Sequence, residues 1–249
     1  MPGLRNKNCY RVVVATTVGP YHKTKGLEGQ DRFACQKKGQ RIVGVVSDGA
    51  GSAKYGKIGA KTICQRLCDI LLRADMKDIR QGIVDGIESV RDELALHRFN
   101  KLKNENGLID FAATVVGVVY EKNKGVFFHI GDGAGIAMGQ NACVISEPEN
   151  GIFTSETFFF TMDDWKDSLR FTPFKEANSI FLMTDGVTGF ALKKNMRALE
   201  KGFIEPINAF LKNENNTKKA SRALKNTLET PKASSLNGDD KTLMWIGLK

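Results

Sequence analysis

The chain has 249 residues, of which 41% are hydrophobic, and a formal net charge of +9. This length and apolar content allow a sizeable core, and we expect a single domain over residues 1–249. The apolar runs are too short and too interrupted by glycine to span a bilayer, and the N-terminus lacks the apolar core of a signal peptide. We therefore predict a soluble, cytoplasmic protein that does not contact membranes.

The basic residues and the cysteines exclude several further classes of protein. No basic stretch is interleaved with aromatic side chains, so we expect no nucleic-acid partner. The densest basic group, at residues 218–225, is spaced for one face of a late helix and is either a solvated surface or a docking surface for an acidic partner. The five cysteines fit neither a disulfide framework nor a zinc site, and Cys64 and Cys68, one helical turn apart, are predicted to be buried thiols.

The chain begins with three β-rich runs, which are followed by two amphipathic helices. The runs are Arg11 to Val18, Arg32 to Gln36 and Arg41 to Ser47. Apolar residues then recur every three or four positions from Ile58 to Leu71 and from Ile79 to Leu94. This period predicts two surface helices that pack on a sheet.

Strands predominate again in the middle of the chain. They are predicted at Phe111 to Tyr120, Gly125 to Asp132, Ala134 to Met138 and Ala142 to Ser146. The short polar or glycine-containing turns between them favour antiparallel hairpins. An irregular section follows, in which the segment DDWKDSL (163–169) has a helical pattern.

The last part of the chain contains a strand from Ser179 to Thr184, two helices within residues 200–230, and a closing strand, TLMWIGL (242–248). Strands and helix pairs thus occur in blocks, without regular βαβ alternation. This order predicts an α+β protein with antiparallel layers.

Aspartates stand at the ends of several predicted strands. Asp48, Asp132 and Asp185 each follow an apolar run and precede a glycine. Asp31 and the pair at 239–240 stand just before two other strands. A strand fixes the backbone of such a residue, and the glycine permits a sharp turn and the close approach of a ligand. We expect these carboxylates to converge at one edge of the sheets.

Converging carboxylates repel one another unless a proton or a cation lies between them. Ligands that are all oxygen suit Mg²⁺ or Mn²⁺, and the small number of histidines disfavours zinc. Two such ions can activate a water molecule and stabilise charge during displacement at phosphorus. The pattern therefore indicates hydrolysis of a phosphate ester, although a single Asp-Gly pair is more typical of a hairpin turn than of a metal ligand.

Six motifs, in order, resemble those of the protein phosphatase 2C-like, metal-dependent phosphatases. They are GQDRF (29–33), VVSDGAGS (45–52), AATVVGVVY (112–120), HIGDGAGIAM (129–138), FLMTDG (181–186) and GDDKTLMWI (238–246). The small bacterial branch is the most similar, because there a segment resembling GPYHKTKGLEGQD (19–31) opens the domain. The resemblance implies a four-layer α-β-β-α sandwich of two mainly antiparallel sheets flanked by helix pairs, with a metal centre at one end.

The resemblance also implies which residues bind two or three Mn²⁺ or Mg²⁺ ions. By motif position, the metal-binding residues would be Asp31, Asp48, Gly49, Asp132, Asp185 and Asp239. Asp48 would bridge both principal metals, the Gly49 carbonyl would bind one of them, and Asp132 would hold a third, looser ion. The implied reaction is hydrolysis of phosphoserine or phosphothreonine in proteins by a water activated by two metals, with Asp48 and Asp185 in catalytic positions. A phosphoprotein substrate and a cognate Ser/Thr kinase are the implied partners, and the oligomeric state is left open.

Three departures from the family pattern affect this interpretation. Gln30 stands where many members have a metal-binding glutamate, and Ala50 stands where many eukaryotic members have a histidine that is a proposed proton donor. Those members also have a phosphate-binding arginine that is missing here. His22, Lys23 or Lys25 could replace it, and we favour His22 as a catalytic residue because the opening pattern of the bacterial branch has a histidine there.

Two alternative functions remain open at this point. The first is a binding module on the phosphatase fold with weak or no catalysis, which the departures at Gln30 and Ala50 suggest. The second is a nucleotide hydrolase, since GSAKYGKI (51–58) nearly matches a P-loop. Ile58 supplies no hydroxyl for Mg²⁺, which disfavours the second alternative.

Overall fold

The computed structural model describes residues 10–98, 107–140, 142–149 and 157–248. The strands in this part of the chain are β1 (Arg11–Thr17), β2 (Arg32–Lys38), β3 (Arg41–Ser47), β4 (Val115–Glu121), β5 (Lys124–Ile130), β6 (Ala134–Met138), β7 (Cys143–Ser146), β8 (Arg170–Lys175), β9 (Ser179–Met183) and β10 (Lys241–Gly247). The helices are α1 (Pro20–Thr24), α2 (Gly56–Leu71), α3 (Ile79–His97), α4 (Asp185–Ala191), α5 (Lys201–Asn213), α6 (Thr217–Leu228) and α7 (Pro231–Leu236).

The strands form two five-stranded sheets. One has the order β1-β10-β9-β6-β7, and the other has the order β2-β3-β4-β5-β8. Every pairing between the described strands is antiparallel. The predicted antiparallel α+β architecture is therefore confirmed.

The two sheets pack face to face around an apolar layer. Val46, Val116 and Phe127 from one sheet meet Leu182 and Met244 from the other, and all five side chains are buried. Neighbouring residues of the same strands point the other way, towards helices, because successive side chains of a strand face opposite sides. The central strands are thus buried on both faces, which explains their continuous apolar sequences.

Helices cover both outer faces of the sandwich. On one side α2 packs on β2, β3 and β4 and α3 packs beside α2, and Cys64 and Cys68 of α2 are buried free thiols, as predicted. On the other side α4 to α7 cover the sheet around Phe181 and Trp245. The four-layer sandwich implied by the resemblance is therefore confirmed. None of the described helices has the length and hydropathy that a membrane span requires.

Some predicted elements were wrong. The segment DDWKDSL forms turns, because Trp165 is buried against α3 and the segment is too short to be stable as an isolated helix. Strand β8, which contains Pro173, was missed; proline is tolerated there because β8 is an edge strand with one unpaired side. The strand expected from Phe111 begins only at Val115, after a 3-10 helix at Leu108–Phe111. The short helices α1, α4 and α7 were also missed.

Candidate metal centre

Five of the aspartates singled out from the sequence lie at one end of the sandwich. Asp31 directly precedes β2, Asp48 directly follows β3, Asp132 lies between β5 and β6, Asp185 begins α4, and Asp239 precedes β10. Their charges act on one another: the pKa of Asp185 is raised first by burial and then by Asp132, Asp31 and Asp239. These carboxylates therefore lie close enough together for their charges to interact, as expected from the sequence.

Asp48 is held by an extension of the β3–β4 pairing. Its backbone N–H donates to Thr114 Oγ1 at 3.1 Å, and its carbonyl accepts from the Thr114 N–H at 2.9 Å. Gly49 pairs with Ala113 in the same register. A side chain at Gly49 would lie 2.5 Å from the backbone of Gly56, so only glycine fits this approach of the turn to α2. The backbone around Asp48 is therefore fixed from both sides.

Asp31 connects the two sheets at this end. It is buried, and its Oδ2 accepts a hydrogen bond of 2.8 Å from Thr184 Oγ1, next to the end of β9. Its carboxyl group also lies close enough to that of Asp48 for their charges to interact. Burial raises the pKa of Asp31 to about 6, against the lowering effect of the Thr184 hydroxyl. Burial and the charge of Asp31 likewise raise the pKa of Asp48 well above its ordinary value.

Asp185 is placed by the tight junction between β9 and α4. A side chain at the next residue, Gly186, would lie 1.9 Å from the carbonyl oxygen of Asp240, so glycine is required for this packing. Burial, followed by the neighbouring carboxylates, raises the pKa of Asp185 to about 8. The site therefore stores unfavourable electrostatic energy that a cation would relieve.

Asp132 and Asp239 lie at the more open side of the cluster. Asp132 Oδ2 accepts a hydrogen bond of 2.8 Å from Thr157 Oγ1. Burial and the charge of Asp239 raise the pKa of Asp132 despite this bond. Asp239 is exposed, and its backbone N–H donates to Asn237 Oδ1 at 2.7 Å. A ligand arriving from solvent would meet these two carboxylates.

Asp240 has a different role from its neighbour. It is buried, and its carboxylate accepts from the Gly19 N–H at 2.7 Å, from His22 Nδ1 at 3.0 Å and from the Gln30 N–H at 2.5 Å. Burial alone would raise its pKa, but these three donors hold the pKa of Asp240 below its ordinary value. Asp240 therefore fastens the segment between β1 and β2, which ends in Asp31, to the start of β10.

The predicted catalytic residue His22 lies in the short helix α1, beside this fastening. Its Nδ1 is occupied by Asp240, whereas within the described residues its Nε2 has no hydrogen-bond partner. The ring is mostly covered, with 16% of the side chain exposed. His22 is thus oriented by a buried carboxylate at the edge of the cluster.

Gln30 supports the Asp48 turn. Its amide is satisfied when the nitrogen faces two backbone carbonyls, so that it donates to Gly49 O and, at 2.9 Å, to Ala50 O. In this orientation the amide nitrogen, which cannot bind a cation, faces the turn. A carbonyl oxygen has two lone pairs, so Gly49 O can still accept a cation. The small side chain of Ala50 is buried and supplies no proton donor.

Lys241 was not among the site residues predicted from the sequence. This residue follows the acidic pair directly and is buried, and its ammonium group donates to Asn237 O at 2.7 Å and to Asp239 O at 2.9 Å. Burial lowers its pKa, although the carboxylates around it act in the opposite direction. The basic residue beside two aspartates was the available signal, but its burial was not visible in the sequence.

The donor set fits hard divalent cations. Within the described residues, no group of three or more His, Cys, Asp or Glu side chains is already close enough to hold a metal ion. However, Asp31 Oδ1 and Asp185 Oδ1 are buried without a hydrogen-bond partner, and both belong to carboxylates whose pKa is raised. A cation would supply the positive charge that these oxygens lack. Because the donors are oxygens, Mg²⁺ or Mn²⁺ suits them.

Comparison with known proteins places the chain in a family. The family model for protein phosphatase 2C matches residues 18–229. The chain belongs to the protein phosphatase 2C family. This match spans the segment from the end of β1 to the end of α6, and so includes four of the five converging aspartates. The comparison with curated proteins found no match.

Solved structures of bacterial phosphatases share the fold. The serine/threonine phosphatase Stp1 from Staphylococcus aureus is 13% identical, with a TM-score of 0.68 over 97% of this chain and 96% of that chain. The S. agalactiae serine/threonine phosphatase is 13% identical, with a TM-score of 0.67 over 97% of this chain and 100% of that chain. PppA, described as a key regulatory component of T6SS in Pseudomonas aeruginosa, is 15% identical, with a TM-score of 0.66 over 96% and 98% of the two chains.

Proposed function

We propose that this member of the protein phosphatase 2C family hydrolyses phosphoserine or phosphothreonine in proteins with the help of two or three Mn²⁺ or Mg²⁺ ions. The observation that carries the proposal is the convergence of Asp31, Asp48 and Asp185 at one end of the sandwich, with buried carboxylate oxygens that have no partner. Membership of a phosphatase family and the likeness to bacterial serine/threonine phosphatases support the same substrate class.

The aspartates would hold the cations in two groups. Asp48 would bridge the two principal ions, the Gly49 carbonyl would bind one of them, and Asp185 with Asp239 would bind the other. Asp31 would bind an ion directly or through water. Asp132, on the more open side, would hold a third ion. When bound, such ions lower the pKa of water and withdraw charge from phosphoryl oxygens.

His22 would contact the phosphate of the substrate. Its Nδ1 is bound to Asp240, which orients the ring, and its Nε2 has no hydrogen-bond partner within the described residues. A protonated imidazole would donate to a phosphoryl oxygen and so replace the arginine that the family pattern leads one to expect. The phosphoprotein and its kinase are partners that the proposed reaction implies.

The test is hydrolysis of p-nitrophenyl phosphate and of a phosphothreonine peptide, with and without Mn²⁺. We expect Asp48→Asn and Asp185→Asn to lose at least about a hundredfold in rate, because each removes a charge that holds the cations. Asp167→Asn, at an exposed aspartate, is the matched control and should retain full activity. Equal rates in the wild type and the two site variants would contradict the proposal.

Two other functions would give different results in the same assay. A binding module on this fold would bind Mn²⁺ without hydrolysing either substrate, and the departures at Gln30 and Ala50 motivate that alternative. A nucleotide hydrolase would turn over ATP but not the phosphopeptide. The antiparallel sheets argue against the latter, because a P-loop lies in a parallel βαβ unit.

A further inference from the structure

Three side chains lie together where the short helix α1 borders the candidate metal centre. The Tyr21 ring lies edge-on to the His22 ring, with 5.5 Å between the ring centres and an angle of 65° between the ring planes. The Lys25 ammonium group lies 4.4 Å from the centre of the Tyr21 ring and donates to Tyr21 Oη at 2.8 Å. The ammonium group and the imidazole ring therefore cannot be further apart than the sum of these two distances, about 10 Å.

Tyr21 and Lys25 are open to solvent, whereas the ring of His22 is mostly covered. Tyr21 is 61% exposed, and Lys25 is exposed as well. An aromatic ring attracts an ammonium group through its quadrupole and so orients the group without neutralising its charge. The Tyr21–Lys25 pair therefore presents a positioned positive charge beside the residue proposed to bind the phosphate.

The protein itself does not neutralise the charge of Lys25. Within the described residues, Lys25 has no ion-pair partner, and nearby acidic side chains have other partners: Glu229 pairs with Lys23 at 3.5 Å, and Glu28 pairs with Lys57. An ammonium group has three donors. In the part of the chain that the structure describes, one of them is taken by the tyrosine hydroxyl, which leaves two for a ligand.

The distance between His22 and Lys25 suits a residue that flanks a phosphorylated one. Consecutive residues of an extended peptide advance by about 3.3–3.6 Å along the chain. If the phosphate of a peptide lies at His22, side chains one to three residues away from the phosphorylated residue therefore come within reach of the Lys25 ammonium group.

We propose that Lys25, held by Tyr21, binds a carboxylate among the residues that flank the phosphoserine or phosphothreonine, so that the protein prefers acidic phosphorylation sites. This inference rests on the proposed function, because it takes the phosphate to bind at His22. A carboxylate would accept the free ammonium donors in charge-assisted hydrogen bonds, whereas a basic flanking residue would meet a like charge. Lys25 is thus a specificity-determining residue that takes no part in the chemical step.

Three fluorescent peptides test this preference. Each contains a non-hydrolysable phosphonate analogue of phosphothreonine, flanked on both sides by two glutamates, two alanines or two lysines. Their binding to the full-length protein in the presence of Mn²⁺ is measured by fluorescence anisotropy at low and high salt. We expect the glutamate peptide to bind at least about fivefold more tightly than the lysine peptide, and the difference to decrease as salt is added.

Variants test whether Lys25 causes the preference. Lys25→Glu should weaken binding of the glutamate peptide at least about fivefold and strengthen binding of the lysine peptide, with a smaller change for the alanine peptide. Tyr21→Ala removes the ring and the hydroxyl that hold the ammonium group, and should reduce the preference by about twofold.

Lys38→Glu is the matched control for the change of charge. Lys38 is also exposed, and it lies at the opposite end of β2 from Asp31, roughly 20 Å along the strand. Lys38→Glu should therefore change each affinity by less than about twofold. Equal melting temperatures of the variants and the wild type exclude unfolding as the cause of any loss.

Three results would overturn the proposal. The first is that the wild type does not bind the glutamate peptide more tightly than the lysine peptide. The second is that Lys25→Glu and Lys38→Glu have equal effects. The third is an equal loss for all three peptides in Lys25→Glu, which would show that Lys25 binds the phosphate itself.

Turnover of the corresponding phosphothreonine peptides is measured in parallel and separates this inference from the proposed reaction. If the wild type hydrolyses none of these peptides, the proposed reaction is wrong, while the binding measurements still decide the role of Lys25. If it hydrolyses all three with equal kcat/KM and binds them equally, the reaction stands and the proposed preference is wrong.

Discussion

Replacing Asp240 by asparagine tests how the segment before β2 is fastened to the sandwich. In the wild type, the buried Asp240 carboxylate accepts from two backbone N–H groups, those of Gly19 and Gln30, and from His22. Asparagine has almost the same shape but only one acceptor oxygen. That oxygen can accept from Gly19, while the amide NH₂ group then faces the Gln30 N–H. The Gln30 N–H is left without an acceptor, and the remaining hydrogen bonds are no longer made to a charged group.

The cost follows from these contacts. A hydrogen bond to a charged group contributes about 1.5–3 kcal/mol, and a buried donor without a partner costs about 1–3 kcal/mol. Since one bond is lost and the others are weakened, we expect Asp240→Asn to lower the free energy of unfolding by about 2–4 kcal/mol. For a chain of this size, each kcal/mol lowers the melting temperature by about 2–4 °C. The variant should melt roughly 5–10 °C below the wild type.

The assay is thermal unfolding followed by circular dichroism in the presence of EDTA, so that metal binding does not contribute. Asp167→Asn, which changes an exposed aspartate in the same way, is the control and should melt with the wild type. If Asp240→Asn shifts the melting temperature by less than about 2 °C, Asp240 is not the fastening residue that its contacts indicate.

Two further predictions concern Gln30 and His129. Gln30→Glu would place a carboxylate against the carbonyl oxygens of Gly49 and Ala50. We therefore expect this substitution to lower the free energy of unfolding, measured by urea unfolding in EDTA, by about 1–3 kcal/mol. Equal stability of the variant and the wild type would contradict the amide orientation. Burial lowers the pKa of His129 to about 3. Between about pH 6.5 and 3 the unfolded chain therefore binds a proton that the folded protein does not, and the free energy of unfolding decreases as the pH is lowered through this range. His129→Gln should reduce that slope by up to about 1.4 kcal/mol per pH unit, and an unchanged slope would contradict the prediction.

The parts of the fold that could be predicted from sequence are those with strong local patterns. Strands β3 and β6 have the predicted bounds, since each is an apolar run closed by turn residues. The failures are segments whose structure depends on distant contacts. DDWKDSL has a helical composition, but the burial of Trp165 determines its conformation, and β8 is stabilised by its pairing with β5 in spite of Pro173.

The candidate site likewise contains residues that could be predicted from local sequence and residues that could not. The Asp-Gly pairs at Asp48, Asp132 and Asp185 mark strand ends, and their convergence followed from the expectation that strand ends meet. The role of Asp240 could not be predicted, because its partners lie more than two hundred residues away in the chain. The orientation of Gln30 was equally hidden, since it depends on the backbone of a turn in another strand pair.

The buried ammonium group of Lys241 has a consequence for the loop at residues 237–239. A chelator removes divalent cations but cannot remove a cation that is covalently part of the chain. Lys241 therefore keeps its hydrogen bonds to Asn237 O and Asp239 O in a solution that contains a chelator. The loop that carries Asp239 is thus held by a positive charge that belongs to the chain itself.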